Sequence, residues 1–274
     1  MTMQNRISSN TNLVAFSREG KRTMDTLIPI YAGCGYKALD LNFCEMMNPG
    51  SVLNTEKCGE YIKKLKEEKE IHGLEYIQAH APYPRDYTAL DKEEKNASDA
   101  LILKAMDAAA ELGVPHIVVH PIKGSIKENI GYFESLIERQ HTPVKIAIEN
   151  METRNEIWSA EDLISICHSL EPMAGICLDT GHAFIAGEDI PSFIKKTGDL
   201  LIGTHIADND GKEDLHLLPG FGKIKWEDVV KALKDSYSGY LNYECMFFSK
   251  NLPWSLSEDI VRLSLSIGSW LLSL

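Results

Sequence analysis

Short apolar runs alternate with longer amphipathic segments along the chain. Eight of these runs are rich in Leu and β-branched residues, and most carry them on both faces, which is typical of strands buried in a parallel sheet. They lie at residues 12–16, 36–43, 74–80, 116–120, 144–150, 174–179, 201–208 and 240–246. The pattern therefore predicts eight strands, each followed by a helical segment.

The segments between the runs have helical periodicity, for example residues 55–69, 97–112 and 160–169. Several end on a glycine before the next strand, as in IHGLE and ELGVP, which is typical of a helix C-cap. Residues 257–274 are predicted as the last helix. Eight such units close most simply into a (β/α)8 TIM barrel, an α/β fold, over residues 1–274 as a single domain. An open, doubly wound sheet has the same local pattern and stays an alternative.

Composition supports a globular chain without membrane spans. Apolar residues make up 44% and charged residues 25% of the 274 residues, enough for a sizeable core. No apolar run reaches the roughly 20 residues that cross a bilayer, and the first residues lack the apolar stretch of a signal peptide. The six cysteines show no CxxC spacing, which favours reduced thiols. We expect a cytoplasmic protein without a membrane partner.

The formal net charge of −12 argues against a general polyanion binder. Bound divalent ions would weaken this argument, because each ion adds two positive charges.

Ligand-type side chains are concentrated where the predicted strands end. In TIM barrels the site lies at the carboxyl ends of the strands. Imidazoles and carboxylates are ligands of Zn²⁺ and Mn²⁺, and five of the nine histidines fall here. The nine ligand-type residues are His80, His120, Glu149, Asp179, His182, His205, Asp214, His216 and Glu244. We predict a site for divalent ions, Zn²⁺ or Mn²⁺ with Mg²⁺ and Co²⁺ as further candidates, and a cleft so rich in ligands can bind more than one ion.

Each of these residues also has a purely structural interpretation. A single histidine at a strand end is more often a hydrogen-bonded turn residue than a ligand. Asp179 could cap the following turn, and Glu149 could pair with a lysine. Asp214 and His216, two residues apart in a loop, could face solvent. The metal prediction therefore depends on the set rather than on any one member.

Other candidates carry weaker signals. Tyr83 and Arg85 follow the third predicted strand, where they could face substrate or water. The sequence PGFG at 219–222 is expected to be a turn at the rim, because it does not have P-loop spacing. The remaining histidines, 72, 116, 141 and 168, are interpreted as ordinary hydrogen-bonded residues.

Together the motifs resemble those of the xylose isomerase-like TIM barrels, which include sugar phosphate isomerases and epimerases and the endonuclease IV family. The resemblance covers nearly the whole chain, through HAPY, IEN, LDTGHAFIAG, HIADNDGKEDLHLLPGFGKIKW and YECM. In ketose epimerases of this group, two Glu, one Asp and one His hold one ion, and the two glutamates act as acid and base. The resemblance implies these roles for Glu149, Asp179, His205 and Glu244, and a substrate-binding role for His182.

Resemblance to endonuclease IV implies a larger set of ligands. One zinc would be held by His80, His120 and Glu149, and a second by the four residues of the epimerase set. A third would be held by His182, Asp214 and His216. All of these positions are filled in this chain.

Two features favour the sugar enzymes. The loops after the first three predicted strands are short and carry few cations, whereas an enzyme that grips bent DNA needs cationic loops. GFGKIKW resembles an ending common in the sugar-isomerase branch. We predict a metal-dependent isomerase or epimerase of a small sugar, sugar phosphate or related polyol, acting by proton transfer. Incision of abasic DNA is the first alternative, an inosose-dehydratase-like lyase the second, and a non-enzymatic binding protein the third. A homo-oligomer is left open.

Overall fold

Eight parallel strands form the inner wall of a barrel, in a computed structural model that describes residues 6–84, 86–153 and 156–274. This confirms the predicted α/β TIM barrel. The strands are β1 Ile7–Asn10, β2 Ala38–Asn42, β3 Glu75–His80, β4 His116–Val119, β5 Lys145–Glu149, β6 Ala174–Asp179, β7 Leu201–His205 and β8 Leu241–Tyr243.

The sheet closes on itself, which excludes the doubly wound alternative. Strands β1 to β7 pair in sequence order, and β8 pairs with β1 through the register Ile7 to Leu241. Just beyond β7, Ile206 pairs with Tyr243 of β8, and the Ile206 N–H donates to the carbonyl of Asn242 over 2.7 Å. The carboxyl ends of all eight strands therefore surround one opening.

Helices cover the outside of the barrel. They are α1 Met24–Cys34, α2 Cys58–His72, α3 Lys92–Glu111, α4 Ile126–Arg139, α5 Ala160–Leu170, α6 Thr180–Ala186, α7 Ile190–Thr197, α8 Trp226–Ser236 and α9 Ser257–Leu271. Short 3₁₀ turns lie at Phe43–Met47, Val52–Asn54, Tyr87–Ala89, Gly198–Leu200 and Trp254–Leu256, and two short strands, Phe16–Ser17 and Gly20–Lys21, form a hairpin. The predicted glycine caps are confirmed, since Gly73 and Gly113 have left-handed backbones with φ of 59° and 70°.

The prediction of the first strand was wrong, because the predicted and observed strands share no residue. Residues 12–15 form a buried connection that leads into the hairpin strand Phe16–Ser17, and the barrel strand is Ile7–Asn10, whose sequence ISSN is mostly polar. Ser8, Ser9 and Asn10 are buried nevertheless, so hydrophobicity could not reveal them. Helix α3 also begins earlier than predicted, because Asp91 accepts the N–H groups of Glu93 and Glu94 and caps it.

The main apolar core lies between the strands and the helices, whereas the inside of the barrel is partly polar. A small apolar cluster of Val118, Ala147 and Cys177 is separate from the main core. Beside it lies a group of linked polar side chains that we call the polar layer: Asp40, Gln78, His116 and Asn242. Strand β7 makes room for it, since a Cβ on Gly203 would lie 2.4 Å from Gln78 Oε1.

Within the described ranges, every helix is too short or too polar to cross a bilayer.

Candidate metal and substrate site

The nine ligand-type residues meet in one cleft at the carboxyl end of the barrel. The cleft has a volume of about 750 Å³. Its lining includes seven of the nine: His80, His120, Glu149, His182, Asp214, His216 and Glu244. The other two, Asp179 and His205, are completely buried. The structure therefore brings together all the predicted positions, as the shared direction of parallel strands requires.

Four of these residues form the largest group of candidate ligands. Glu149, Asp179, His205 and Glu244 each offer a ligand atom within 4.8 Å of the others. His205 Nδ1 lies 2.7 Å from Glu149 Oε1 and 3.3 Å from Glu244 Oε2. Three carboxylates and one imidazole in this arrangement could hold a divalent ion such as Zn²⁺ or Mn²⁺.

Asp179 is both a helix cap and an available ligand. Its Oδ1 accepts the His182 N–H over 2.6 Å and caps helix α6, as the structural interpretation expected. Its Oδ2 is buried and has no hydrogen-bond partner among the described residues. Burial is the main cause that raises the pKa of Asp179 to about 7, and the carboxylates of Glu149, Glu244 and Asp214 contribute to this rise against the opposing effect of His182. A cation beside Oδ2 would satisfy this oxygen and stabilise the ionised form.

Glu149 lies among histidines rather than beside a lysine. His205, His120 and His80 approach its two oxygens at 2.7, 3.0 and 3.4 Å. Burial alone would raise the pKa of Glu149, but His205 and His120 outweigh burial and hold it well below its ordinary value. Glu149 is therefore ionised at neutral pH.

A second group shares Glu149 with the first. His80, His120 and Glu149 offer three ligand atoms within 4.8 Å, and the two Nε2 atoms are 3.2 Å apart. Two imidazoles this close to one carboxylate oxygen form a second candidate position for an ion.

A third group is joined by Asp214 in the loop after β7. Asp214 Oδ2 lies 2.7 Å from His216 Nε2 and 3.5 Å from His182 Nε2. Burial alone would lower the pKa of His216, but Asp214 outweighs burial and raises it to about 9. Both loop residues therefore line the cleft, with His216 buried and Asp214 still exposed to solvent.

Backbone carbonyls orient three of the histidines. The Nδ1 atoms of His80, His182 and His216 lie 2.8, 2.9 and 3.0 Å from the carbonyl oxygens of Ala81, Asn150 and Glu244. In the neutral form that metal binding requires, an imidazole that donates from Nδ1 keeps its lone pair on Nε2. In all three cases Nε2 is the atom that approaches a carboxylate of the cleft.

The loop after β7 is anchored from below by one buried carboxylate. Asp208 accepts hydrogen bonds from the N–H groups of Gly220, Gly222 and Ile224 and from the indole N–H of Trp226. The sequence PGFG is thus a turn around Asp208, as expected. These two glycine amides bond to the protein itself, so they do not form a phosphate cradle.

The weaker candidates have different outcomes. Tyr83 lines the cleft, and its ring stacks on His120 with centroids 4.0 Å apart. Arg85 lies outside the described residues.

Sequence reasoning missed the polar layer beneath the cleft. Asp40 is completely buried in β2 and accepts hydrogen bonds from Gln78 and Asn242. His116, interpreted from sequence as an ordinary hydrogen-bonded residue, lies 3.1 Å from Gln78 Oε1. A signal was present, because an aspartate in the middle of the apolar strand ALDLN is costly to bury without a partner.

The fold and site define a (β/α)8 barrel whose carboxyl end gathers imidazoles and carboxylates. The family model described as xylose isomerase-like TIM barrel matches residues 30–257, and the chain belongs to this family.

The relatives of this chain include a sugar epimerase, a probable endonuclease and an uncharacterised protein. A match to fructoselysine 3-epimerase of Escherichia coli O157:H7 is 24% identical over 208 residues and covers 70% of this chain and 74% of that protein. A probable endonuclease 4 of Halorhodospira halophila is 27% identical over 192 residues, covering 60% and 65%. An uncharacterised protein of Sinorhizobium fredii, y4fM, is 31% identical over 174 residues, which is 55% of this chain and 53% of that protein.

Solved structures share the same fold. A D-tagatose 3-epimerase-like protein superposes with a TM-score of 0.72 at 23% identity, covering 98% of this chain and 97% of that chain. The IolI protein, solved with a bound zinc atom, superposes with a TM-score of 0.74 at 19% identity and covers 98% of each chain.

Proposed function

We propose that this protein is a divalent-metal-dependent isomerase or epimerase of a small sugar or related polyol. The observation that carries the proposal is the convergence of Glu149, Asp179, His205 and Glu244, with one buried Asp179 oxygen left without a hydrogen bond among the described residues. Membership of a family whose relatives include sugar epimerases supports the same reaction class.

The four residues would hold one ion, and two of them would also move protons. A bound divalent ion polarises a carbonyl and the adjacent hydroxyl, which acidifies the neighbouring C–H bond. Glu149 and Glu244 act as the base and acid: one carboxylate removes the carbon-bound proton, and the other returns a proton to the opposite face. The low pKa of Glu149 keeps it in the ionised form that a base requires. His182 would bind a substrate hydroxyl.

The charge of the cleft favours a neutral substrate. Its described lining includes six carboxylates, those of Asp86, Glu149, Glu152, Glu156, Asp214 and Glu244. Lys123 is the only lysine or arginine in that lining, and its Nζ is already 3.1 Å from Asp86 Oδ2. The described lining therefore offers a phosphate group little pairing with lysine or arginine, whereas hydroxyl groups can donate to the carboxylates.

Solvent deuterium exchange tests the proposal. The Mn²⁺- or Zn²⁺-loaded protein is incubated in D₂O with a panel of ketoses, ketose phosphates and cyclic polyols, and carbon-bound deuterium is measured by mass spectrometry. We expect incorporation into a neutral member, and its loss in Glu149→Gln and Glu244→Gln. Glu161→Gln, which changes an outer carboxylate paired with Lys196, is the control. Metal content of each variant separates loss of the ion from loss of the proton carrier. Equal exchange in all proteins would refute the roles of Glu149 and Glu244.

A second candidate function is hydrolysis of abasic DNA by several ions. It is favoured by the two further groups, His80 with His120 and His182 with Asp214 and His216, which a single-ion epimerase does not require. Several ions suit phosphodiester hydrolysis, because they activate water and neutralise the attacking and leaving oxygens. Incision of an abasic duplex with three zinc ions per chain, abolished in His120→Gln, would support it. One ion per chain and no incision would refute it.

A further inference from the structure

His205 is turned the opposite way from the other histidines of the cleft. Its Nδ1, not its Nε2, faces the carboxylates of Glu149 and Glu244. Its Nε2 is buried and has no hydrogen-bond partner among the described residues. In His80, His182 and His216 a backbone carbonyl contacts Nδ1, but in His205 the carboxylate of Glu149 takes that place. The group that orients His205 must therefore lie near its Nε2.

That side is occupied by Asp40 of the polar layer. Asp40 Oδ2 lies 3.6 Å from His205 Nε2, slightly beyond hydrogen-bond distance. Both residues are completely buried. Asp40 Oδ1 also has no hydrogen-bond partner among the described residues, so this carboxylate retains accepting capacity. Oδ2 already accepts two amide donors, so a small rotation that brings Oδ1 towards His205 would pair the unsatisfied nitrogen with the unsatisfied oxygen.

We propose that Asp40 is a positioning residue for the metal site: it accepts the Nε2–H of His205 and so keeps the lone pair of this imidazole on Nδ1. The inference rests on the proposed function, because it assigns His205 Nδ1 to the ion. A carboxylate behind an imidazole ligand fixes its tautomer and ring orientation and increases its basicity.

The rest of the polar layer holds Asp40 in place. Gln78 Nε2 and Asn242 Nδ2 donate to Asp40 Oδ2 over 3.0 and 2.9 Å. Gln78 is fixed in turn, because its Oε1 lies 3.1 Å from His116 Nε2. These contacts come from strands β3, β4 and β8, so the carboxylate is braced from several sides of the barrel. A residue needed only to fill space would not require an ionisable group with two amide donors at this depth.

The tautomer of His205 can be measured in the unaltered protein. Long-range ¹H–¹⁵N spectra of zinc-loaded protein labelled at histidine distinguish the Nδ1–H from the Nε2–H form. We expect His205, assigned by the signal lost in His205→Gln, to be an Nε2–H tautomer with a metal-shifted Nδ1. His80, His182 and His216 are expected to be protonated on Nδ1. An Nδ1–H form of His205 in the zinc-loaded protein would overturn the proposal.

Metal affinity provides a second measurement. Asp40→Asn keeps the shape but removes the charge, and we expect its Zn²⁺ affinity, from competition with a fluorescent chelator, to fall roughly 10- to 100-fold. Asp25→Asn is the matched control, since Asp25 is a largely buried carboxylate paired with Lys64 on the outer helices. A folded Asp40→Asn protein with unchanged affinity would overturn the role of Asp40 alone. Absence of zinc binding by the unaltered protein would overturn the proposed function as well.

Discussion

His116 gives the polar layer a measurable effect on stability at acidic pH. Burial lowers the pKa of this imidazole to about 4, and the nearby charge of Asp40 only partly opposes the effect. His116 is therefore neutral in the folded barrel at pH 5 to 6, whereas in the unfolded chain it titrates near 6.5. Substitution His116→Gln removes the titration but keeps an N–H donor for Gln78 Oε1.

The sign and size follow from proton linkage. Between pH 6.5 and pH 4 the unfolded chain binds a proton at His116 that the folded chain does not, so stability falls as the pH falls. The stabilisation is complete above the unfolded pKa and is lost as the pH approaches the folded pKa. A difference of about 2.5 pH units corresponds to at most about 3 kcal/mol. Because the residue is partly exposed to solvent, we expect about 2 kcal/mol.

Urea unfolding of the metal-free protein at pH 7 and pH 4.5, with chelator present, measures this contribution. The unaltered protein should lose about 2 kcal/mol more than His116→Gln on acidification. Other titrating groups are common to both proteins and cancel in the comparison. His168→Gln, which changes a histidine with a 61% exposed side chain, should behave like the unaltered protein. Parallel losses in the unaltered protein and His116→Gln would refute the argument that burial suppresses protonation of His116.

Three further substitutions test other parts of the structure. Gly203→Ala places a Cβ 2.4 Å from Gln78 Oε1, so we expect a loss of about 1–3 kcal/mol in urea unfolding; no loss would mean that the amide moves freely. Asp208→Asn brings an NH₂ group towards N–H donors, so it should lower the free energy of unfolding by about 1–3 kcal/mol. It should also speed proteolysis within residues 209–225. Tyr83→Ala removes the ring stacked on His120 and should raise KM for the sugar substrate, whereas Tyr83→Phe should not; equal KM values would exclude a substrate contact by the ring.

The sequence predicted the strands from their apolar runs and the site from the direction of the parallel strands. Strands buried on both faces are continuous apolar runs, so seven of the eight were found. Their carboxyl ends must share one rim, so polar residues at those ends could be expected to converge without knowledge of any distance. This reasoning brought Asp179 and Glu244 together although 65 residues separate them in the chain.

The polar interior was not predictable in the same way. Strand β1 contains the polar residues Ser8 and Ser9, which are buried although they are polar. A search for apolar runs cannot find such a strand. The contact of Asp40 with Asn242 joins residues 202 positions apart, and it depends on the closure of the barrel. Which imidazole nitrogen faces the cleft also depends on backbone carbonyls whose positions only the folded chain defines.

The two oxygens of Asp179 have a practical consequence for the design of inactive variants. Because Oδ1 caps helix α6, a truncation such as Asp179→Ala changes the helix as well as the cleft, and loss of activity would have two explanations. The Glu244 side chain contacts histidines of the cleft and caps none of the helices in the described ranges. A researcher who needs an intact barrel with an empty site should therefore alter Glu244, and should use Asp179 to ask how binding at the cleft is transmitted to a neighbouring helix.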